Sequence, residues 1–250
     1  MKKIIKILKI TFISLCSLII LMTLGLFIYT LDSYKALDDM YDAIELLDLT
    51  GIEVINDFDH ISYVVSQPNK NIVIIPGGKV KPESYQYLAV NLALAGYNVT
   101  IVKTLFNLAI LTPNYGSRFL SDDIDNVVIG HSLGGTVASL FSENDDRVSD
   151  MIFLASYSIK DVKDKRVLVI TGEFDLVLNK ESFHENEDLL PSNYTLYEIL
   201  GGNHAQFGWY GPQKGDGSST ISTKDQQDII INEILNFIAI YSLETAHHIY

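Results

Sequence analysis

The chain has 250 residues, of which 48% are hydrophobic, and its formal net charge at pH 7 is −13. This length suffices for a membrane segment plus one domain with a substantial core, and it does not require two domains. The acidic balance and the lack of a basic patch argue against a nucleic-acid partner, because binding phosphates needs clustered positive charge. Cys16 is the only cysteine, which excludes an internal disulfide.

The N-terminal segment places four lysines before an uncharged run, residues 10–31. As a helix this run would span roughly 33 Å, which matches the lipid bilayer core, so we predict that it contacts lipid. The lysines favour the cytoplasmic side, which predicts a single-pass protein of the cell membrane with the rest of the chain outside the cytoplasm. A cleaved signal peptide is the alternative, although the run is long and lacks a small-x-small cleavage site.

The next stretch, residues 32–50, is predicted to be a juxtamembrane helix. It lies between the anchor, residues 1–31, and a single α/β domain, residues 51–250. Its apolar residues recur at helical spacing. They are Leu37, Met40, Tyr41, Ile44 and Leu47.

Beyond residue 60, short apolar runs alternate with helical segments. This alternation predicts an α/β fold with a mostly parallel sheet covered by helices on both faces. Residues 105–120 are less regular and are expected to hold a short helix. The predicted strands are residues 60–65, 72–75, 98–102, 126–129, 151–155, 167–170 and 195–199, and a closing amphipathic helix is predicted over residues 225–241.

The strand at 126–129 runs directly into Gly130-His131-Ser132-Leu133-Gly134, the pattern G-x-S-x-G. A strand that turns sharply into a helix needs glycines around the serine, because a Cβ atom there would clash. Ser132 would then stand clear of the sheet as a nucleophile, and the backbone N–H of Leu133 could bind an oxyanion. The pattern alone is weak, since a glycine-rich turn with an idle serine also produces it.

Two further residues follow strand ends at the same predicted edge. Asp175 comes after the strand at 167–170 and could orient an imidazole, although a turn aspartate that caps a helix is the alternative. His204 lies in a glycine-rich loop after the last strand and could be the general base, although it could also be an ordinary polar loop residue. Glu173 is a second, less favoured acid, and His131 is expected to point away from the line of attack on the substrate.

Serine, acid and histidine in this order, each after a strand, resemble the α/β-hydrolase superfamily. The resemblance covers the chain from about residue 61 onward. Within the superfamily, the sequence is similar to the small, lidless, dienelactone-hydrolase-like subgroup, in its membrane-anchored bacterial form. The resemblance implies that Ser132, Asp175 and His204 form a catalytic triad. One departure is that dienelactone hydrolases use a cysteine nucleophile, so their substrate does not carry over. The matching segments are residues 76–80, 130–135, 172–175 and 201–207.

The resemblance also implies a second oxyanion donor in the loop after the strand at 72–75. We assign it to the N–H of Gly78, with Lys79 next, although the two adjacent glycines could simply form a tight turn. Two segments are candidates for substrate binding, through Phe106 and Asn107 and through Phe207 and Trp209. The second pair could equally pack the loop.

The sequence therefore predicts a serine hydrolase that acts on small ester-like molecules. No metal is predicted, because no histidines or cysteines stand at ligand spacing, and no cofactor is predicted. A non-catalytic, membrane-tethered ligand-binding protein on the same fold and an amide or peptide hydrolase remain as alternatives. The sequence does not predict the oligomeric state.

Overall fold

The computed structural model describes residues 2–247 and divides into two compact units, Met1–Ser33 and Tyr34–Tyr250. The first unit is the helix α1, Lys2–Thr30. Its segment Lys3–Thr30 is long and apolar enough to cross a membrane, and none of the residues in its most hydrophobic stretch is buried. Its large apolar side chains are exposed, Phe12 to 68%. Such a helix is a membrane-span candidate, although a signal sequence has the same properties.

The second unit contains an eight-stranded sheet in the order β1-β2-β4-β3-β5-β6-β7-β8. The strands from β3 to β8 are parallel, whereas β2 is antiparallel to both β1 and β4. The α/β prediction is confirmed. The strands are β1 (Glu53–Asn56), β2 (His60–Val64), β3 (Asn71–Ile75), β4 (Asn98–Val102), β5 (Asn126–His131), β6 (Val148–Leu154), β7 (Arg166–Gly172) and β8 (Thr195–Ile199), and the remaining helices are α2 (Asp38–Glu45), α3 (Gln86–Leu94), α4 (Leu133–Ser142), α5 (Lys180–Glu185) and α6 (Thr223–His247).

The central strands have apolar side chains on both faces because helices cover both. In β3 every residue is buried, and its side chains alternate between two hydrophobic clusters. Ile72 and Ile74 belong to the cluster that contains residues of α3 and α6. Val73 and Ile75 belong to the cluster beneath α4. This period-two division of a fully apolar run is what a doubly covered parallel strand requires.

The juxtamembrane prediction is wrong in extent. Only Asp38–Glu45 is helical, and the second unit already begins at Tyr34. The Tyr34 N–H donates to the Lys79 carbonyl at 2.8 Å, and the Lys81 N–H donates to the Tyr34 carbonyl at 2.8 Å. These bonds hold Tyr34 in a strand-like bridge to Val80. Its backbone groups are therefore unavailable to a helix.

The irregular stretch at 105–120 contains three short 3-10 turns in place of one helix. They are Leu105–Asn107, Ala109–Leu111 and Tyr115–Phe119. Phe106 and Asn107 have φ angles of 54° and 55°, which a right-handed α-helix cannot contain. The closing helix begins at Thr223 and ends at His247, beyond the predicted residues 225–241 at both ends.

Candidate active site

Three of the predicted site residues lie beyond the carboxyl ends of parallel strands. Ser132 follows β5, Asp175 follows β7 and His204 follows β8. Because β5, β6, β7 and β8 are adjacent and parallel, these ends share one edge of the sheet. The topology therefore collects the three side chains at one rim of the second unit, the usual position of ligand sites in open α/β sheets.

Ser132 occupies a strained turn between β5 and α4, with φ 51° and ψ −126°. Its N–H donates to the Leu154 carbonyl at 2.9 Å, and its own carbonyl accepts from the Ser156 hydroxyl at 2.6 Å. A Cβ atom on Gly130 would lie 2.2 Å from the Gly135 Cα. The close approach of strand and helix thus requires glycine, and the surrounding bonds hold the serine in a conformation that an isolated chain would avoid.

Asp175 and His204 form a buried pair, each 1% exposed. The Asp175 Oδ2 lies 2.8 Å from the His204 Nδ1. The other carboxylate oxygen accepts from the N–H groups of Val177 and Leu178, both at 2.8 Å, which fixes the orientation of the carboxylate. Because an ionised carboxylate only accepts hydrogen bonds, the Nδ1 carries the proton and the Nε2 is left as the acceptor.

The structure does not join His204 to the serine directly. Within residues 2–247 no hydrogen bond reaches the Ser132 hydroxyl. The His204 ring instead packs against the ring of His131, the residue before Ser132, with 4.8 Å between the ring centroids. Catalytic hydrogen bonds are often loose before substrate binds, so this arrangement is compatible with a proton transfer between the two residues.

His131 belongs to a buried hydrogen-bonded chain that the sequence analysis missed. The Tyr85 hydroxyl accepts a hydrogen bond from the Gly77 N–H at 2.9 Å. It also lies 2.7 Å from the His131 Nδ1, and we assign the tyrosine as the donor and this nitrogen as the acceptor. Desolvation by burial, followed by the influence of His204, holds the pKa of His131 well below 6.5, and burial raises the pKa of Tyr85. Both side chains are therefore neutral near pH 7. Nothing in the sequence pairs residue 85 with residue 131.

The two favoured oxyanion donors are neighbours in space. A Cβ atom on Gly78 would lie 3.0 Å from the Leu133 Cδ2. In the described part of the chain neither the Gly78 N–H nor the Leu133 N–H has an acceptor. Lys79 differs, because its N–H donates to the Asn107 carbonyl at 2.8 Å. The assignment of Lys79 as a donor is therefore corrected, since its N–H is already used within the fold.

Phe207 and Trp209 are also corrected, because both are buried, with exposures of 0% and 4%. The Trp209 indole N–H donates to Asp39 at 2.9 Å, and the Phe207 ring stacks on His131 at 5.8 Å between centroids. They pack the loop that carries His204 and offer no surface to a substrate. Phe106 and Asn107 differ in being partly exposed.

The less favoured candidates have structural roles. The Glu173 carboxylate accepts from the Gly201 N–H at 2.8 Å and so supports the loop that carries His204.

Within residues 2–247 one group of possible metal ligands comes together, formed by Asp57, Asp59 and His60, with its ligand atoms within 4.8 Å of one another. His60 and Asp59 already bond each other at 2.7 Å, so ordinary contacts account for this group.

Comparison with known proteins agrees with the fold. No curated protein sequence matches the chain. A CIB-like hydrolase from Thermoplasma acidophilum is 15% identical, with a TM-score of 0.55 over 74% of this chain and 100% of that one. A dienelactone hydrolase from Anabaena variabilis is 12% identical, with a TM-score of 0.53 over 73% and 96%. A ferulic acid esterase from Streptomyces cinnamoneus is 18% identical, with a TM-score of 0.55 over 69% and 67%.

These likenesses concern the fold alone, whereas the match to a family model concerns the sequence. The model of the alpha/beta hydrolase family matches residues 71–228, more than half of the chain. The matched range begins at β3 and ends within α6, and it includes the turn at Ser132 and the Asp175–His204 pair. The chain belongs to the alpha/beta hydrolase family.

Proposed function

We propose that the protein is a serine hydrolase that cleaves small carboxylic esters outside the cytoplasm through an acyl-enzyme. Family membership supports hydrolysis as the reaction class. The observation that carries the proposal is the buried Asp175–His204 hydrogen bond, at 2.8 Å, on the same sheet edge as the strained Ser132. A histidine oriented in this way by a carboxylate is suited to accept a proton from a nearby hydroxyl.

In the proposed reaction the Ser132 Oγ attacks the ester carbonyl carbon while the His204 Nε2 accepts the hydroxyl proton. Asp175 stabilises the resulting imidazolium. The N–H groups of Gly78 and Leu133 bind the oxyanion, and a donor of this kind contributes roughly 10²–10³ in rate. The imidazolium then gives its proton to the leaving alcohol oxygen as the C–O bond breaks. A water molecule repeats these steps on the acyl-enzyme and releases the acid.

The test is labelling of the full-length chain with a fluorophosphonate, which phosphonylates an activated serine. We expect labelling of the wild type and none of Ser132→Ala. Ser218→Ala is the matched control, because Ser218 is exposed in the loop region beyond His204, and it should label like the wild type. Labelling that persists in Ser132→Ala, or that is absent from correctly folded wild type, would reject the proposal.

Ester hydrolysis and amide hydrolysis can be distinguished with two substrates that carry the same acyl group on different leaving groups. We expect p-nitrophenyl esters to be hydrolysed and the matching p-nitroanilides to be hydrolysed far more slowly, because p-nitrophenolate leaves readily as an anion whereas the anilide nitrogen must be protonated before it leaves. Comparable turnover of both substrates would favour an amide hydrolase. A ligand that raises the melting temperature and yields no product would favour a binding protein.

A further inference from the structure

Residues 34–39 form hydrogen bonds with two loops, the one after β3 and the one after β8. We call this segment the N-terminal strap. The first loop carries Gly78, a proposed oxyanion donor, and the second carries His204, the proposed general base. The strap lies outside residues 71–228, the range of the family match, so membership of the family does not account for its contacts.

The strap binds the first loop directly beside Gly78. The Tyr34 N–H donates to the Lys79 carbonyl, and the Lys81 N–H donates to the Tyr34 carbonyl, both at 2.8 Å. Lys79 has a φ angle of 60°, which is uncommon for a residue other than glycine. Its N–H donates to the Asn107 carbonyl at 2.8 Å, so the strap holds its second backbone polar group. Because strained residues persist only where their surroundings over-determine them, the strap helps to fix the backbone next to Gly78.

The strap binds the second loop through backbone and side-chain groups. The Leu37 N–H donates to the Trp209 carbonyl at 3.1 Å, and the Trp209 indole N–H donates to the Asp39 carboxylate at 2.9 Å. The Tyr34 hydroxyl accepts from the Lys214 N–H at 3.1 Å. The same short segment therefore holds the loop of the general base and the loop of the oxyanion donor.

A series of packed rings continues from the strap to His204. The centroid of the Tyr34 ring lies 5.3 Å from that of Tyr210, and the Tyr210 centroid lies 6.4 Å from that of His131. The His131 centroid in turn lies 4.8 Å from that of His204. Tyr210 and His131 are both buried. Since a closely packed interior transmits displacement, a shift of the strap would reach the general base.

Catalysis needs both loops in place at once, because the oxyanion donor and the general base act in the same step. A displacement of about 1 Å can cost roughly 10²-fold in rate. We propose that the N-terminal strap is a positioning segment, which holds the Gly78 loop and the His204 loop in the relative arrangement that the reaction needs. The backbone groups of Tyr34 and Leu37 and the Asp39 carboxylate make the positioning contacts. This proposal rests on the proposed serine hydrolase activity.

Proline substitutions can remove single strap bonds with little change in backbone conformation. Leu37 has φ −84° and ψ 152°, and Lys81 has φ −66° and ψ 136°, which are close to the values that proline adopts. Leu37→Pro removes the N–H that donates to Trp209, and Lys81→Pro removes the N–H that donates to Tyr34. Leu37→Ala and Lys81→Ala are the matched controls, because they keep these N–H groups.

The full-length variants are assayed in detergent with p-nitrophenyl acetate, and titration with a fluorophosphonate counts the active serines. We expect each proline variant to lose about tenfold in kcat per active site with KM little changed, because the lost interaction acts in the transition state. The alanine controls should keep most of the wild-type kcat. All rates are measured well below the melting temperature of each variant.

Asp39 offers a second test with a spectroscopic readout, because Trp209 is the only tryptophan. Asp39→Ala removes the acceptor of the indole N–H, whereas Asp39→Asn keeps an oxygen that can accept it. We expect Asp39→Ala to shift the tryptophan emission and to lower kcat per active site by about threefold, as for the loss of one hydrogen bond. Asp39→Asn should restore both.

The proposal is overturned if the proline variants match their alanine partners in kcat per active site. It is also overturned if they only reduce the number of titrated serines, which is the result of a merely structural role, or if Asp39→Ala shifts the emission and leaves kcat unchanged. In these cases the wild type is active and the serine hydrolase proposal survives. If the wild type neither hydrolyses the ester nor labels at Ser132, the proposed function fails and the positioning role fails with it.

Discussion

At the scale of single residues, the Tyr85 hydroxyl connects the loop after β3 to His131. Tyr85→Phe would leave the Gly77 N–H and the His131 Nδ1 without partners in a site that water does not reach. An unsatisfied buried polar group costs about 1–3 kcal/mol, so we expect a loss of this order in the free energy of unfolding. Urea denaturation of the full-length chain in detergent, followed by fluorescence of the single tryptophan, measures it.

Tyr63→Phe is the matched control for this prediction. The Tyr63 hydroxyl accepts from the Gln86 Nε2 at 2.8 Å in a part-buried site, where water can replace it. We expect this variant to lose less than about 1 kcal/mol of the free energy of unfolding. Equal losses in Tyr63→Phe and Tyr85→Phe would show that the chain from Gly77 to His131 has no special contribution to stability.

His131 also makes stability depend on pH. Its pKa in the folded protein is held well below 6.5 by desolvation and by His204, whereas the unfolded chain titrates near 6.5. As the pH falls below 6.5, the unfolded state binds a proton that the folded state does not, so this residue lowers the free energy of unfolding. Above pH 6.5 the ring is neutral in both states and contributes no pH dependence.

We therefore expect the wild-type free energy of unfolding to fall between pH 6.5 and pH 5 more steeply than that of His131→Asn. One proton corresponds to a slope of about 1.4 kcal/mol per pH unit. The comparison cancels the carboxylates, which are the same in both chains. Identical slopes would mean that His131 is solvated or protonated in the folded protein.

The residue scale also shows what sequence reasoning can reach. The position of Ser132, Asp175 and His204 at strand ends was predictable because each follows an apolar strand, and strand ends can be recognised locally. Phe207 and Trp209 were assigned wrongly to substrate binding because their burial depends on partners far along the chain, such as Asp39 and His131. Local sequence does not contain that information.

At the scale of elements, the turn from β5 into α4 depends on the backbone approach of neighbouring segments. A Cβ atom on Gly134 would lie 2.2 Å from the Ile75 carbonyl oxygen and 2.4 Å from the Pro76 carbonyl oxygen. Backbone atoms of a central strand cannot move aside, so we expect Gly134→Ala to abolish folding or to lower the melting temperature severely.

Gly78→Ala is the comparison, since its Cβ atom would meet the flexible end of the Leu133 side chain at 3.0 Å. We expect this variant to fold with nearly unchanged melting temperature and to lose about tenfold or more in kcat, because a methyl group would displace one of the two proposed oxyanion donors. Thermal unfolding and ester hydrolysis of both variants check the pair. A stable Gly134→Ala protein would contradict this account of the turn.

The sheet and its main helices were predictable because apolar runs and their spacing identify strands and helices locally. The structure of the segment before α2 was not predictable. The helical spacing of apolar residues begins at Leu37 and indicated a helix there. Instead Tyr34 pairs with Val80, and the Leu37 N–H donates to the Trp209 carbonyl at 3.1 Å. Tertiary hydrogen bonds to remote loops thus override a local helical pattern, as they often do for short segments.

At the scale of the whole molecule, the described structure separates an apolar helix from a unit with its own core. Because Tyr34 and α2 pack within that unit, we expect a chain that begins at Tyr34 to be soluble and to keep the ester kcat/KM of the full-length protein. A chain that begins at Asp48 would lack the Tyr34 bridge, the fully buried Met40 and the Asp39 bond to Trp209. We expect it to unfold at a markedly lower temperature.

Whether the N-terminal helix is a membrane anchor or a signal sequence depends on whether the mature chain retains it. If Lys3–Thr30 spans the bilayer, the full-length protein stays in the membrane fraction after alkaline carbonate extraction, and its N-terminal lysines remain detectable. The lysines favour the cytoplasmic side, so a protease added to intact cells should digest the second unit and spare the N-terminus. A soluble product without those lysines would instead identify a cleaved signal sequence. Because the second unit has its own core, that outcome would change the location of the proposed hydrolase and leave its chemistry intact.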